Sequence, residues 1–330
     1  MQGKITAEHL PDMQKTETGF YKKRIAKVGV RGIKQYIPIL MKDGSMQSVM
    51  ADISSYCSLD ETFKGINMSR ITRTINKVLK DNPNGFRGLE EFVKELAVAH
   101  NSPDVFIKAK FKMLMNNETP MSDLYSQEPI DIIIESQFRN NEYKTFLSVE
   151  TVGMSLCPCS KEMSMLYNNL TEEEMDVLNG LNNEMPSVEG SLYRKIMMAG
   201  YGAHNQRSHI NIKVELNEDK SNTLWIEDIY EIANNASSCH TRSVLKRPDE
   251  KYETEVSYLG GYFDDEKKFI EVPGNGPKFT EDIARDVAEL LDKELDNTIK
   301  DYVIVVNNEE SIHTGDIMAT SVLNAGRTLK

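Results

Sequence analysis

The sequence predicts an α+β protein of two similar halves, each an antiparallel sheet with helices gathered on one face. Three observations carry this expectation. The 330 residues exceed what one ordinary core organises. Strand-like and helix-like stretches come in blocks, not in strict strand-helix alternation. The block order strand, strand, helix, helix, strand, strand is met twice along the chain.

In the first half, residues 33–41 and 46–55 are apolar-rich and flank "KDGS", whose Asp-Gly pair signals a hairpin. "MSRITRTINKVLKDN" carries Ile71, Ile75, Val78 and Leu79 at helical spacing, and "GLEEFVKELAVAH" repeats the period at Leu89, Phe92, Val93 and Leu96. The breaker "NPNG" divides the two helices. Residues 105–115 and 130–138 are strand-like in β-branched and aromatic content.

The second half follows suit, with strands over 145–152 and 209–216, helices over 226–236 and 281–295, and strands over 302–306 and 316–319. The modules are therefore 1–141 and 142–330, with the junction near 140–142. Residues 161–203 interrupt the second module. They hold the acidic "TEEEMDVLNGLNNE" and the helix-like "GSLYRKIMMAG", and are expected to form a surface insertion, a lid or a subunit contact.

Composition excludes several functions. Hydrophobic residues make up 39% and charged residues 27%, and no apolar run reaches the roughly 18 residues of a membrane span, so no membrane role is expected. "MQGKITAEHLPDMQKTETGF" has no apolar stretch behind its first charges, so the cytosol is the expected compartment and disulfides are not expected. A net charge of -12 disfavours nucleic acid as a partner. Small anions need only two or three local cations, whatever the global balance.

The chain holds four cysteines, two of them in "MSLCPCSKEMS". Cys157 and Cys159 form C-x-C, not the C-x-x-C of redox sites, and no second close pair exists to complete a Cys₄ zinc site. Taken alone, they read most simply as buried small hydrophobes. The six histidines are His9, His100, His204, His209, His240 and His313. His204 lies in "GAHNQRSH", a polar run rich in donors, and His313 in "EESIHTGD", between a strand and a turn glycine. Each is otherwise an ordinary surface histidine. "LKRPDEKYETE" adds Asp249, Glu250, Glu253 and Glu255 beside Lys246 and Arg247; Pro248 argues against a helix interior there, and a solvated turn is the plain reading. Thiolate and imidazole donors suit Zn²⁺ or Fe²⁺, and a catalytic site keeps one coordination position open.

"SLCPCSKEMS", "GAHNQRSH", "LKRPDEKYETE", "PKFTEDIARDVA" and "ESIH", in this order, resemble the type IB GTP cyclohydrolase I family, as does "CSLDETFKGINMSR" in the first half. The resemblance implies the tunnelling fold in two tandem modules, and conversion of GTP to 7,8-dihydroneopterin triphosphate with a divalent metal, Zn, Mn or Fe(II). It also implies a homotetramer with active sites at subunit interfaces. Carried over motif by motif, the metal ligands are Cys157, His204, Glu250 and His313. Cys159 and His209 are the groups for proton transfer, and Glu281 anchors the guanine. Arg207, Lys246, Arg247, Lys161 and Arg70 are the candidate cations for the triphosphate. Without the resemblance, Glu281 reads as a charge complementing a helix N-terminus.

One departure stands out. The "SLCPCSKEMS" and "GAHNQRS" motifs usually lie close together in the family, and here roughly forty residues separate them. Three alternatives remain open at this stage: a relative of the archaeal enzymes that yields dihydroneopterin 2',3'-cyclic phosphate, a nitrile reductase of the same fold using a cysteine nucleophile, and a non-catalytic metal-binding protein.

Overall fold

Apolar side chains recur at every second residue along the strands, so each strand has one face to bury. In β3 (Val105–Glu118), Val105, Ile107, Ala109, Phe111, Met113 and Met115 are buried, while Lys110, Lys112 and Leu114 are exposed. The computed structural model describes residues 22–81, 85–167, 171–174, 202–217 and 224–326. Most of the expected insertion, including "GSLYRKIMMAG", lies outside the described residues, as does His9. Two compact units are present, 1–111 with 133–147 and 112–132 with 148–330, so three long strands contribute to both.

In the first unit, β1 (Ile25–Leu40) and β2 (Met46–Leu59) form the hairpin expected from "KDGS", antiparallel from Leu40↔Met46 to Ile25↔Leu59. β1 begins well before residue 33. β2 pairs antiparallel with β3. The two helices are α1 (Met68–Asp81) and α2 (Gly85–His100), which pack on each other and on β1. Ile71, Ile75, Val78, Leu89, Phe92, Val93 and Leu96 are buried, as the spacing predicts. The tight turn between β4 (Tyr125–Arg139) and β5 (Glu142–Leu156) has Asn140 and Asn141 at φ 54° and 64°, the paired left-handed geometry of a type I′ hairpin, which asparagine tolerates. The expected module junction at 140–142 coincides with this turn, which lies inside the first compact unit.

The second unit orders its strands β3-β4-β5-β6-β10-β11, with β6 (Asn205–Leu216) and β11 (Met318–Asn324) antiparallel on either side of β10 (Ile299–Glu309). α4 (Ile226–Ala236) and α6 (Thr280–Leu295) pack together, and α6 also lies against β10 and β11. Ile210, Ile212, Val214, Ile304 and Val306 of the sheet are buried with Ile229, Ile232, Ile283, Val287 and Leu291 of these helices. The opposite face is half-exposed and mixes polar with apolar side chains, Val305 and Val322 among the latter. There Asn211 Nδ2 donates to Glu150 Oε2 at 3.2 Å and Thr320 to Asn307 at 2.8 Å. The architecture is α+β, as expected, and no helix among the described residues is long and apolar enough to cross a membrane.

Several elements differ from the expectation. "LKRPDEKYETE" is a helix, α5 (Arg247–Leu259), because Pro248 sits in its first turn, where a missing N–H costs nothing, and not in its interior. Gly260 ends it in the left-handed conformation at φ 76°. "CPCSKEMS" turns from the end of β5 into α3 (Pro158–Tyr167). A two-residue strand, β7 (Cys239–His240), pairs with β5, and β8 (Gly261–Phe263) and β9 (Phe269–Glu271) form a separate small sheet.

The helices α4, α5 and α6 start alike. Asp228, Asp249 and Asp282 each accept the N–H of the residue three positions earlier, at 3.0, 2.8 and 3.0 Å. Asp249 does more, for its carboxylate also takes the N–H groups of Met121 and Ser122, both at 3.0 Å, and the Ser122 hydroxyl. Burial alone would raise its pKa, but these four donors together hold it at about 2. Stability from Asp249 is therefore full above the ordinary value of 3.8 and is lost as pH falls towards 2. Replacing it, Asp249→Ala, leaves four donors unpaired and is expected to lower unfolding stability by roughly 2–4 kcal/mol, measured by urea denaturation at pH 7.

Candidate functional site

The last residues of β5 are held from every side. Gly153 leaves no room for a side chain, since a Cβ there would meet Ser237 Cβ at 2.6 Å. Ser238 donates its N–H to Met154 O at 2.8 Å and accepts the Leu156 N–H on its hydroxyl at 3.1 Å. Lys278 N–H reaches Leu156 O at 3.0 Å. Cys157 then donates its N–H to His204 O at 3.2 Å, while His204 N–H donates to Ser160 Oγ at 3.3 Å. Two residues far apart in sequence are thus adjacent through the main chain.

Their side chains suit a metal. Cys157 is half-buried, and His204 Nδ1 is buried with no hydrogen-bond partner. An unpaired buried imidazole nitrogen is costly, and a cation beside a thiolate would satisfy it. The other two expected ligands are not gathered here. Glu250 is exposed in the first turn of α5, and His313 is exposed in the turn after β10, where its N–H meets Glu310 O at 3.1 Å. Among the described residues no three His, Cys, Asp or Glu side chains form a group that could hold a metal ion. One chain brings together Cys157 and His204, half of the expected set.

The remaining expected residues occupy distinct places. Cys159 is exposed in the first turn of α3. Lys161, one turn on, is half-buried with its ammonium 5.5 Å from the centre of the Tyr258 ring, and burial lowers its pKa. His209 Nε2 lies 2.7 Å from Glu309 Oε1 across β6 and β10, so this carboxylate orients the imidazole. Glu281 is exposed in the first turn of α6, where its own N–H and the Thr280 hydroxyl, 2.9 Å away, lower its pKa. Arg207, Lys246 and Arg247 are exposed. Arg70 belongs to the first unit and donates to Ala99 O at 2.9 Å.

A cavity of about 880 Å³ in the second unit is lined by Arg207 and His313 of this set, together with His240, Arg242, Glu253 and Glu309. Cys157 and His204 are not in its lining. In its wall the Arg242 guanidinium, and from behind it the Cys239 thiol, both bind the buried Glu253 carboxylate, whose pKa burial raises despite Arg242. His240 Nε2 lies 2.9 Å from the Tyr230 hydroxyl, and that hydroxyl also receives Asn117 Nδ2 at 2.6 Å. Burial and, less strongly, Arg242 push the His240 pKa down to about 3, and burial pushes Tyr230 up to about 12. Sequence reasoning passed over this cluster. "CHTR" in the chain puts one thiol, one imidazole and one guanidinium within four residues, a signal that only the packing of α5 against β7 makes legible.

The sequence profile of the type I GTP cyclohydrolase folE2 family matches residues 10–263 and 264–319. The GTP cyclohydrolase FolE2 of Nitrosomonas eutropha is 31% identical over 290 residues, 88% of this chain and 86% of that protein. That of Azoarcus sp. is 29% identical over 310 residues, 93% of this chain and 92% of the relative. Among solved structures, the uricase from Arthrobacter globiformis is 6% identical, with a TM-score of 0.47, and the match covers 92% of this chain and 93% of that one.

His240 also sets a pH dependence. Its folded pKa of about 3 lies below the ordinary 6.5, so between these values the unfolded chain binds more protons. Unfolding stability should fall as pH drops from 6.5 towards 3, and His240→Gln, which keeps a partner for Tyr230, should flatten that part of the profile in chemical denaturation series.

Proposed function

The chain belongs to the type I GTP cyclohydrolase folE2 family, and we infer that it is a GTP cyclohydrolase I. The reaction opens the guanine imidazole ring of GTP by hydrolysis, releases C8 as formate and rearranges the product to 7,8-dihydroneopterin triphosphate. The observation that carries this reading is the juxtaposition of Cys157 with His204 and its unpaired ring nitrogen at the end of β5. Cys157 and His204 would hold a divalent metal, Zn, Mn or Fe(II), with Glu250 and His313 completing the set. Bound there, the ion supplies Lewis-acid activation of water at neutral pH for attack on C8.

The protein's own groups do the rest. Glu281, held ionised by its helix-start N–H and Thr280, would accept two hydrogen bonds from guanine N1–H and the 2-amino group. Adenine offers no such donor pair, so this contact sets base choice. Arg207, Lys246, Arg247 and Lys161 are the cations for the triphosphate, and an anion beside half-buried Lys161 offsets what burial costs its charge. Cys159, exposed at the start of α3, and His209, oriented by Glu309, are the groups available to move protons during ring opening and closure.

We place the missing ligands across a subunit boundary in a homotetramer of two-module subunits joined at 140–142. Two features support this placement. Glu250 and His313 are exposed in the single chain, and β11 presents a terminal strand edge with Val322 65% and Met318 48% exposed.

Incubation of metal-loaded protein with GTP should give formate and, after oxidation, pterin fluorescence. Intact GTP with Zn²⁺, Mn²⁺ and Fe²⁺ alike would overturn the assignment, and mass analysis of the product separates the triphosphate from a 2',3'-cyclic phosphate. Cys157→Ala and Glu250→Ala should each lose bound metal and turnover while staying folded; full metal content in either variant removes that residue from the ligand set.

A further inference from the structure

Three segments that the proposed reaction depends on leave different elements: Cys157 from the end of β5, Glu281 from the start of α6, and His313 from the turn after β10. Beneath them is a buried polar knot. Ser155 is 1% exposed, and its hydroxyl donates to Lys278 O at 2.8 Å and accepts from Asn308 Nδ2, also at 2.8 Å. Asn308 is likewise 1% exposed and stands on β10, five residues before His313. Lys278 is three residues before Glu281, and its N–H closes the same loop on Leu156 O, one residue before Cys157.

The lysine side chain adds a second anchor. The side chain is 10% exposed, and its ammonium donates to Ala236 O at the end of α4 at 2.7 Å and to Gly274 O, and pairs with Asp286 Oδ2 of α6 at 2.5 Å. The chain entering α6 is thus fixed by its carbonyl, its N–H and its side chain at once. At the far side of the helix start, Thr280 is tied to Ser321 of β11 at 2.9 Å.

We propose that Ser155 is a positioning residue: through Asn308 and the main chain of Lys278 it sets the placement of the Glu281 helix start, and hence of the bound base, relative to the Cys157 strand. The proposal rests on the cyclohydrolase reading, in which Glu281 holds guanine and the Cys157 end of β5 holds the reacting centre. Ser155 need touch neither substrate nor metal. A fully buried hydroxyl that both donates and accepts cannot be removed without leaving the Asn308 amide and the Lys278 carbonyl unpaired, so the loop before α6 would lose its register.

The test compares Ser155→Ala, Asn308→Ala, their double variant and Ser257→Ala in the metal-loaded, full-length protein. Ser257 is a control, since it is buried but its hydroxyl only donates to Thr254 O within α5, at 3.1 Å. Ser155→Ala should lower kcat for GTP by about 10- to 100-fold, with KM changed by less than about 3-fold, as misplacement of a bound substrate does. Amide hydrogen exchange over residues 278–285 should quicken. Asn308→Ala should cost less, and the double variant no more than Ser155→Ala alone, because both act through one hydroxyl. Ser257→Ala should leave kcat and exchange at wild-type values. A Ser155→Ala enzyme with wild-type kcat, or unchanged exchange over 278–285, overturns the proposal, as does an equal loss in Ser257→Ala. Wild-type protein that does not turn over GTP would sink the cyclohydrolase reading instead, and the exchange comparison would still decide whether Ser155 holds the helix start.

Discussion

The grip on the end of β5 is the constraint on which the rest of the candidate site depends. Between Gly153 and Cys157 the strand is paired to β7, donates an N–H to a serine hydroxyl, accepts a lysine N–H, and passes the Cys157 N–H to the carbonyl of His204. Each contact is modest alone, roughly 1 kcal/mol net for a neutral hydrogen bond. Their value lies in direction. They fix the main chains of Cys157 and His204 side by side although the long insertion separates their segments, and they do so with groups that lie outside the inserted residues.

The sheet of the second unit explains why such precision is available there. One face is closed by α4 and α6 over aliphatic side chains, which supplies the burial; the other carries half-exposed polar groups. Polar groups that do lie on the buried side are mostly paired, as the Ser155 hydroxyl, the Asn308 Nδ2 and the Lys278 ammonium are, although Asn308 Oδ1 is not. The unpaired exceptions include His204 Nδ1 and Gln206 Oε1, which stand at the start of β6 on either side of a residue that faces the cavity. In a native protein such unpaired atoms point to a missing partner, and His204 Nδ1 and Gln206 Oε1 stand beside the expected site.

Much of this was legible in the sequence. Period-two strands and the helix of Ile71, Ile75 and Val78 follow from spacing, and the "KDGS" hairpin from its Asp-Gly pair. Motif resemblance put Cys157 and His204 in one site. What spacing does not show is α5, because Pro248 reads as a breaker until its place in a first turn is known. Nor did it show the Glu253–Arg242–Cys239 cluster or the role of Ser155, since these depend on which side chains meet across elements. Glu250 and His313 mark the boundary between the two cases: their motifs name them, and the fold of one chain leaves them exposed and apart from the thiol.

The central claim is that one chain supplies Cys157 and His204 and another completes the site. Inactive Cys157→Ala and inactive Glu250→Ala proteins, unfolded together, refolded as mixed oligomers and loaded with metal, test it most directly. The account predicts that the mixture regains GTP turnover and bound metal, because some interfaces then pair an intact Cys157 with an intact Glu250. Mixed oligomers verified by mass that remain without metal and without turnover would contradict it.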